Sequence, residues 1–202
     1  PWSTSIYNSQ PYRQDIYNPQ WIGLDNYFEL FNSPVFWKTL INTFIFLIGA
    51  VPVLVVLPLI IAVAVNQKLR GINIYRVLIY IPVIVSLVVA GIAWKWLYAS
   101  SGLLNYLMSL IHVAKIGWLT DPKIAIYSVI AVTVWKGLGY YMVVYLSALT
   151  TVPKELYEAA DIDGASEIKK HLNVTVPCLM PAIALVSTIS AISAMKIFVE
   201  IY

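Results

Sequence analysis

The chain has 202 residues, of which 60% are hydrophobic and only 11% are charged. Soluble domains typically have about a quarter of their residues charged, so this composition excludes an ordinary soluble enzyme and indicates a multi-span membrane protein. The formal net charge of +3 is small and the basic residues are scattered, which argues against a nucleic-acid partner. A single cysteine, Cys178, excludes a disulfide or a cysteine-based metal cluster within this sequence.

The first 36 residues are rich in Tyr, Asn, Gln, Pro and Trp and have no sustained hydrophobic period. This composition predicts an extramembrane loop over 1–36, with one short helix near Asn26 to Phe31. The sequence begins with Pro1, without an initiator methionine or a signal peptide, which favours a fragment of a longer chain.

Residues 37–202 are predicted to form a transmembrane domain, because they contain four apolar segments long enough to cross a bilayer. The predicted spans lie at about 39–67, 77–98, 124–149 and 175–196. The first span has no charged residue, and we expect Pro52 and Pro58 to kink it where neighbouring helices cover the freed carbonyl groups.

The loop over 68–76 carries three basic residues and no acidic residue. The positive-inside rule therefore predicts that this loop is cytoplasmic. Alternation of the spans then puts 1–36 and 99–123 on the outer side of the membrane and 150–173 on the inner side.

Lys136 lies near the middle of the third predicted span, where an uncompensated charge costs several kcal/mol. Two interpretations stay open. Either Lys136 lines a polar pathway together with Tyr140 and Tyr141, or it pairs with an acidic group or a helix end of another subunit while nearby glycines permit close packing.

Two further clusters of residues in the predicted spans have both a structural and a functional interpretation. Trp94 and Trp96, with Lys95 between them, indicate an aromatic belt at the outer interface, and contact with a sugar is the alternative. A stripe of serines on the fourth span, centred on Ser190, indicates close helix packing, and contact with a substrate is again the alternative.

The sequence lacks the motifs expected for ion coupling, for nucleotide binding and for catalysis. No predicted span carries a carboxylate for ion coupling, and there is no P-loop, HExxH or catalytic triad. Energy for transport would therefore come from another polypeptide. His112 and His171 have no partners at metal-ligand spacing, so we predict no metal site.

The segment from Thr150 to Asn173 is a polar stretch between apolar spans and holds half of the 10 acidic residues. Pro153 marks a helix start and Gly164 interrupts the helical pattern, so we predict two short helices joined at a bend. Acidic residues outnumber basic ones on this predicted inner loop, and a protein partner would account for them. One face of the first helix would be small enough for close approach, and it carries Leu156, Ala159, Ala160 and Asp163.

Glu158, Ala159 and Ala160 are followed by Gly164 after three residues and by a Val-x-Val-Pro sequence after nine more. This spacing resembles the EAA loop of binding-protein-dependent ABC importer permeases, in which Ile and Leu stand at the two valine positions. The resemblance implies that 150–173 contains a cytoplasmic coupling helix that docks on an ATPase subunit. The residues it implies for this coupling are Glu158, Ala159, Ala160, Asp163, Gly164 and Pro177.

The sequence from Trp21 to Tyr27, with Phe36-Trp37 and Asn42-Thr43 after it, carries a second resemblance. It is similar to the segment before the second span in the maltose-type, carbohydrate-importing branch of these permeases. This similarity implies a sugar, polyol or glycerol phosphate as cargo. The candidate residues for lining its pathway are Asn42, Lys136, Tyr140, Tyr141 and Ser190.

Together the resemblances imply an all-α polytopic membrane protein with four of the six transmembrane helices of the family core, one further span belonging at each end. They imply assembly with a second permease subunit, two ATP-binding subunits and an extracytoplasmic solute-binding protein in the cytoplasmic (inner) membrane of a bacterium or archaeon. ATP and magnesium would bind to the ATPase partners, and this chain would be a non-catalytic subunit without a cofactor. An ion-coupled secondary transporter of a small polar solute is the alternative.

Overall fold

The computed structural model describes residues 23–67 and 70–196, and every regular element in those two ranges is a helix. This confirms the all-α fold predicted from the sequence. Trp21 and Ile22 of the second sequence motif lie outside the described residues. In chain order the elements are α1 (Asp25–Asn32), α2 (Pro34–Val65), α3 (Ile72–Ile84), α4 (Leu87–Leu97), α5 (Leu103–Leu110), α6 (Ala125–Leu149), α7 (Lys154–Ile162), α8 (Glu167–Lys170), a π-helical turn (His171–Thr175), α9 (Val176–Cys178) and α10 (Met180–Lys196).

The chain divides into two compact units, and the first is Pro1–Ile41. In this unit α1 confirms the short helix predicted within the N-terminal loop. The helix ends at Ser33, which is extended with a ψ of 119°, because the following Pro34 disfavours helical backbone at the residue before it. The Trp37 indole donates to the Phe31 carbonyl oxygen at 2.8 Å and so ties the start of α2 to the end of α1.

Within the described ranges, α2 and α6 are each long and apolar enough to cross a membrane, and two bent helix pairs raise the possible number of crossings to four. Helix α2 has 32 residues and runs through both Pro52 and Pro58 without ending. At its C-terminus the Arg76 guanidinium donates from Nη2 to the Val65 carbonyl oxygen at 2.6 Å. A cation therefore satisfies a carbonyl that the helix itself leaves unpaired.

The sequence predicts one span over 77–98, and the structure has two helices there, α3 and α4, bent by 100°. Val85 and Ser86 separate them in extended conformation, with ψ angles of 132° and 149°. Ser86 is the N-cap of α4, because its hydroxyl accepts a hydrogen bond from the Val89 N–H at 3.3 Å. The break thus begins a new helix rather than deforming a continuous one.

The last predicted span, 175–196, is also interrupted. The stretch Glu167–Cys178 and helix α10 are bent by 71° around Leu179. Pro177 and Pro181 flank this residue, and neither has the N–H group that would continue the hydrogen bonds of a straight helix. The bend therefore follows from the positions of the two prolines.

Helices α2, α6 and α10 supply the buried core of the second unit, Asn42–Tyr202. Helix α3 packs closely on α6 at Gly139, where a Cβ atom would lie 2.5 Å from the Ile79 carbonyl oxygen. Only a glycine permits this approach between the two helices. The largest fully buried side chains of the core include Phe46, Met142, Tyr145 and Val186.

Candidate functional site

A cleft of about 590 Å³ is lined by side chains of α2, α3, α4, α6 and α10. It brings together four of the five lining residues proposed from the sequence, which are Lys136, Tyr140, Tyr141 and Ser190. The fifth, Asn42, is half-buried on α2 and does not line this cleft. A cleft of this size is within the usual range for small-molecule sites.

Lys136 is positioned by α6 directly against the break between α3 and α4. Its ammonium donates to the carbonyl oxygen of Val85 at 2.7 Å and to that of Pro82 at 3.4 Å. These carbonyls belong to the last turn of α3, which has no further N–H groups of its own to bond them. Lys136 therefore binds a helix end of its own chain and also lines the cleft.

The two tyrosines and Ser190 contribute different surfaces to the cleft. Tyr141 is 5% exposed and belongs to the core, whereas Tyr140 is 44% exposed. Their rings pack edge to face with centroids 5.2 Å apart. Ser190 is fully buried, and its hydroxyl donates to the Ser187 carbonyl oxygen of its own helix at 3.1 Å. The serine stripe thus serves helix packing at Ser190, although this residue also reaches the cleft wall.

Cations line this cleft without acidic partners. Lys136 and Lys196 are both lining residues, and no Asp or Glu is among the described residues that form the wall. Lys196 was not singled out from the sequence, because a lysine at the end of a span is usually an interfacial residue. The cleft therefore disfavours cationic ligands and is compatible with neutral or anionic ones.

A smaller cleft of about 290 Å³ adjoins the first and shares Leu87, Val132 and Thr133 with it. Trp94 and Lys95, which the sequence left between an interfacial belt and a sugar contact, line this smaller cleft. Trp96 does not, and its side chain is 72% exposed. Two tryptophans that are two residues apart in sequence thus lie in different environments.

The polar stretch over 150–173 forms α7 and α8 with a bend at Gly164, as predicted. Gly164 has a φ of +69°, a left-handed conformation that glycine adopts without steric cost. An ion pair crosses the bend, because Lys170 on α8 binds Asp161 on α7 and also donates to Glu167 at 2.6 Å. Hydrogen bonding to Asp161, and then to Glu167, raises the pKa of Lys170 above its ordinary value of 10.5.

A second contact joins α7 to the π-helical turn. The Thr175 hydroxyl lies 2.8 Å from the Tyr157 hydroxyl and 3.0 Å from Nδ1 of His171. Thr175 is buried, so these polar groups satisfy one another away from solvent. This network was not predictable from the sequence, because its members are separated by up to 18 residues and carry no motif.

The solvent-exposed surface of α7 and α8 carries both charged and apolar side chains. Glu158, Ala159, Asp163 and Gly164 are all exposed, while Ala160 is half-buried and Pro177 is exposed farther along the chain. A polar segment rarely leaves several large apolar side chains in solvent unless another surface covers them. The exposed apolar residues, with their exposed fractions, are Leu156 (43%), Ile162 (87%), Ile168 (73%) and Leu172 (60%).

Helices long and apolar enough to cross a membrane, a cleft that contains two lysines and an exposed two-helix element are together typical of a membrane transport protein. The chain belongs to the family described as binding-protein-dependent transport system inner membrane component, which matches residues 27–202. Its place is therefore in the cytoplasmic membrane as a multi-pass permease subunit of this family.

Several relatives of known name support this assignment. The chain is 37% identical to the lactose transport system permease protein of Rhizobium radiobacter over 183 residues, which is 89% of this chain and 61% of that protein. It is 35% identical to the arabinooligosaccharides transport system permease protein of Bacillus subtilis, covering 90% of this chain and 58% of that protein. The trehalose/maltose transport system permease protein of Thermococcus litoralis is 31% identical, with coverage of 90% and 62%. The chain thus spans about three fifths of the length of these relatives.

Solved structures share the fold. A chain of a bacterial ABC transporter involved in the import of the acidic polysaccharide alginate has a TM-score of 0.78 and 26% identity, covering 98% of this chain and 72% of that one. A bacterial alginate ABC transporter in complex with an alginate pentasaccharide-bound periplasmic protein has a TM-score of 0.76 and 28% identity, with coverage of 98% and 71%. The helical arrangement of this chain is therefore that of an ABC importer permease.

Proposed function

We propose that this chain is the transmembrane part of an ATP-driven importer that moves a carbohydrate or a related polyol across the cytoplasmic membrane. The observation that carries this proposal is the cleft at Lys136, which is lined by α6, the helix that leads into the exposed pair α7 and α8. The named relatives are permease proteins of lactose, arabinooligosaccharide and trehalose/maltose transport systems, which supports carbohydrate as the class of cargo.

The bent pair α7–α8 is the proposed coupling element. Its exposed apolar side chains suit a protein partner, and the central positions of the contact would be Glu158 and Gly164. The ion pair of Lys170 with Asp161 joins α7 to α8, and the hydrogen bond between Tyr157 and Thr175 joins α7 to the π-helical turn that follows. A docked element that is fastened in this way can move as a rigid body, as alternating access between two states requires.

The partners follow from this mechanism. Two ATP-binding subunits would hold ATP and magnesium and hydrolyse the nucleotide, while a second permease subunit would complete the pathway. An extracytoplasmic solute-binding protein would deliver the cargo. The family description and the alginate transporter complex with its periplasmic protein support that last partner. This chain would contribute no catalytic residue and no cofactor.

The positive charge of the cleft favours a neutral or anionic cargo over a cationic one. Lys136 and Lys196 give it positive character with no acidic residue on the described wall. Neutral sugars, polyols and anionic compounds such as glycerol phosphates fit this electrostatics, whereas amino sugars would meet like charge.

The competing proposal is an ion-coupled secondary transporter. Such a carrier needs carboxylates within its spans for proton or sodium coupling. Helices α2, α3, α4, α6 and α10 contain no Asp or Glu. The described spans therefore offer nothing that supports ion coupling.

The test is ATP hydrolysis by the full-length protein, assembled in lipid with its ATPase subunits, second permease subunit and binding protein. The panel consists of neutral sugars, polyols, glycerol phosphates and glucosamine as the cationic control. Stimulation by a sugar or polyol, and none by glucosamine, is the expected result. Failure of the ATPase subunits to assemble with the permease, or a basal rate that none of these compounds changes, would contradict the proposal.

A further inference from the structure

We propose that helix α5 lies in the interface of the lipid bilayer, with one apolar face buried among the acyl chains of phospholipids. The helix belongs to the connection between α4 and α6, which the predicted topology puts on the outer side of the membrane. The inference rests on the membrane location of this family and not on the cargo. It assigns a lipid-binding surface to a segment that the proposed transport mechanism does not use.

Helix α5 exposes an apolar stripe and buries an amide. The stripe residues recur at i, i+3, i+4 and i+7, and they are Leu103 (54% exposed), Tyr106 (60%), Leu107 (44%) and Leu110 (59%). Asn105 lies away from the stripe and is only 2% exposed. A helix on the surface of a protein in water has the reverse arrangement, because its apolar side is buried against the core. The inversion indicates that the stripe faces an apolar medium.

Asn105 fixes α5 against the segments on either side of it. Its Nδ2 donates to the carbonyl oxygens of Ala99 and Ile116, both at 3.1 Å, and its Oδ1 accepts from the Ile116 N–H at 2.9 Å. Rotation of the helix that turned its stripe inward would break these bonds and leave a buried amide without partners. The stripe is therefore a permanent outward surface of this connection.

The place of α5 in the chain puts it at the membrane surface. Helix α4 belongs to a bent pair that can form one crossing, and α6 is long and apolar enough to form another. The eight residues of α5 span about 12 Å, which is too short to cross a hydrocarbon core of about 30 Å. The helix thus lies between two crossing segments, at the depth where interfacial helices bury an apolar face.

The absence of charge favours lipid over a protein as the occupant. No residue between Lys95 and Lys115 is charged, whereas the exposed Ile162 and Ile168 of the coupling element each have charged neighbours on both sides. A face that met a soluble binding protein only in passing would lie in water between encounters, and exposure of this stripe to water is unfavourable. A bilayer covers the stripe at all times.

An exposed apolar face of α4 leads towards α5. Val88 (72% exposed), Ile92 (49%) and Trp96 (72%) lie at i, i+4 and i+8, so they share one side of α4. Tryptophan and tyrosine are enriched where a membrane meets water, because their rings are apolar and their polar atoms reach the headgroups. Trp96 at the end of this face and Tyr106 on α5 therefore suit the same interfacial layer.

The experiment places a nitroxide spin label on α5 of the full-length permease, assembled with its partner subunits in phospholipid nanodiscs. Cys178→Ser, in a complex otherwise free of reactive cysteines, is combined with Leu103→Cys, Leu107→Cys or Leu110→Cys to label the stripe. Ser109→Cys is the matched control, because Ser109 is exposed on the same helix but lies outside the stripe. Oxygen concentrates in lipid and a nickel chelate in water. The ratio of oxygen to chelate accessibility should be several-fold higher at the three stripe positions than at Ser109.

The contrary outcomes identify other occupants. Stripe labels that neither reagent reaches would assign the stripe to another subunit or to a further span, and would overturn the lipid contact. Stripe labels that the chelate reaches, and that added binding protein then shields, would assign the stripe to that protein instead. Equal ratios at all four positions would show that α5 has no lipid face. None of these measurements involves transport, so each outcome is independent of the proposed function.

Discussion

The ammonium of Lys136 lies 2.7 Å from the carbonyl oxygen of Val85, a residue 51 positions earlier in the chain. This contact joins α6 to the point where the bent pair α3–α4 is interrupted. A helix end within a membrane leaves carbonyl groups that lipid cannot satisfy. Lys136 donates to two carbonyl groups at this break, so the half-buried cation and the interrupted span compensate for each other.

Replacing Lys136 with methionine should destabilise the protein by about 1–3 kcal/mol, because the Val85 and Pro82 carbonyls would lose their donor. Thermal unfolding of the purified full-length complex would measure this loss. Lys136→Arg keeps N–H donors and should lose less. Lys115→Met, at an exposed position between α5 and α6, is the control. Equal melting temperatures for Lys136→Met and Lys115→Met would mean that the contact contributes nothing to stability.

The close contact between α6 and α3 at Gly139 should also be sensitive to substitution. A Cβ atom there would lie 2.5 Å from the Ile79 carbonyl oxygen and 2.8 Å from the Tyr80 Cα atom. Gly139→Ala should therefore destabilise the protein by about 1–3 kcal/mol through overpacking. Gly91→Ala is the control, since nothing lies within 4 Å of a Cβ at Gly91. Alanine there should change stability by no more than about 1 kcal/mol. Similar melting temperatures for both variants would show that α6 and α3 are not in close contact.

Lys170 should affect coupling more than stability, because it links α7 to α8 across the Gly164 bend. Lys170→Gln should lower the amount of cargo moved per ATP without changing helix content by circular dichroism. The neighbouring Lys169→Gln is the control, since Lys169 is exposed and forms neither of the two ion pairs described at this bend. If the two variants transport equally well, the ion pair has no part in coupling.

The ion pair of Lys170 with Asp161 and Glu167 should weaken only at high pH. The pKa of Lys170 is raised above its ordinary value of 10.5, so the folded state favours the protonated form. While the carboxylates are ionised, the contribution of the ion pair is therefore complete below about pH 10.5 and is lost as the pH rises through the raised pKa of Lys170. Between pH 6 and 9, the ratio of cargo moved to ATP hydrolysed should not change through this group.

The polar stretch was predictable from sequence because its signals are local. Pro153 and Gly164 fix where α7 begins and where the bend falls, and the acidic residues exclude the stretch from lipid. The same holds for α6, whose apolar run from 124 to 149 matches the observed Ala125–Leu149. Hydrophobic run length and helix breakers are properties of neighbouring residues, so they can be read without a fold.

The break at Val85 could not be predicted in this way. Neither Val85 nor Ser86 is a helix breaker, and the donor that stabilises the interruption comes from another helix. The difference between Trp94 and Trp96 was equally hidden, because it depends on which side of α4 faces Trp135. Features that depend on contacts between distant segments leave no periodic signal in the sequence.

We propose that α7 and α8 transmit the free energy of ATP hydrolysis to the membrane-spanning helices. The most direct test measures cargo uptake and ATP hydrolysis together in proteoliposomes for Glu158→Gln, Gly164→Ala and the wild-type importer. Alanine at Gly164 would strain the backbone by about 1–2 kcal/mol, because its φ of +69° disfavours a side chain. We predict that both variants assemble and hydrolyse ATP but move much less cargo per ATP. Normal uptake per ATP in both variants would show that α7 and α8 do not couple ATP hydrolysis to transport.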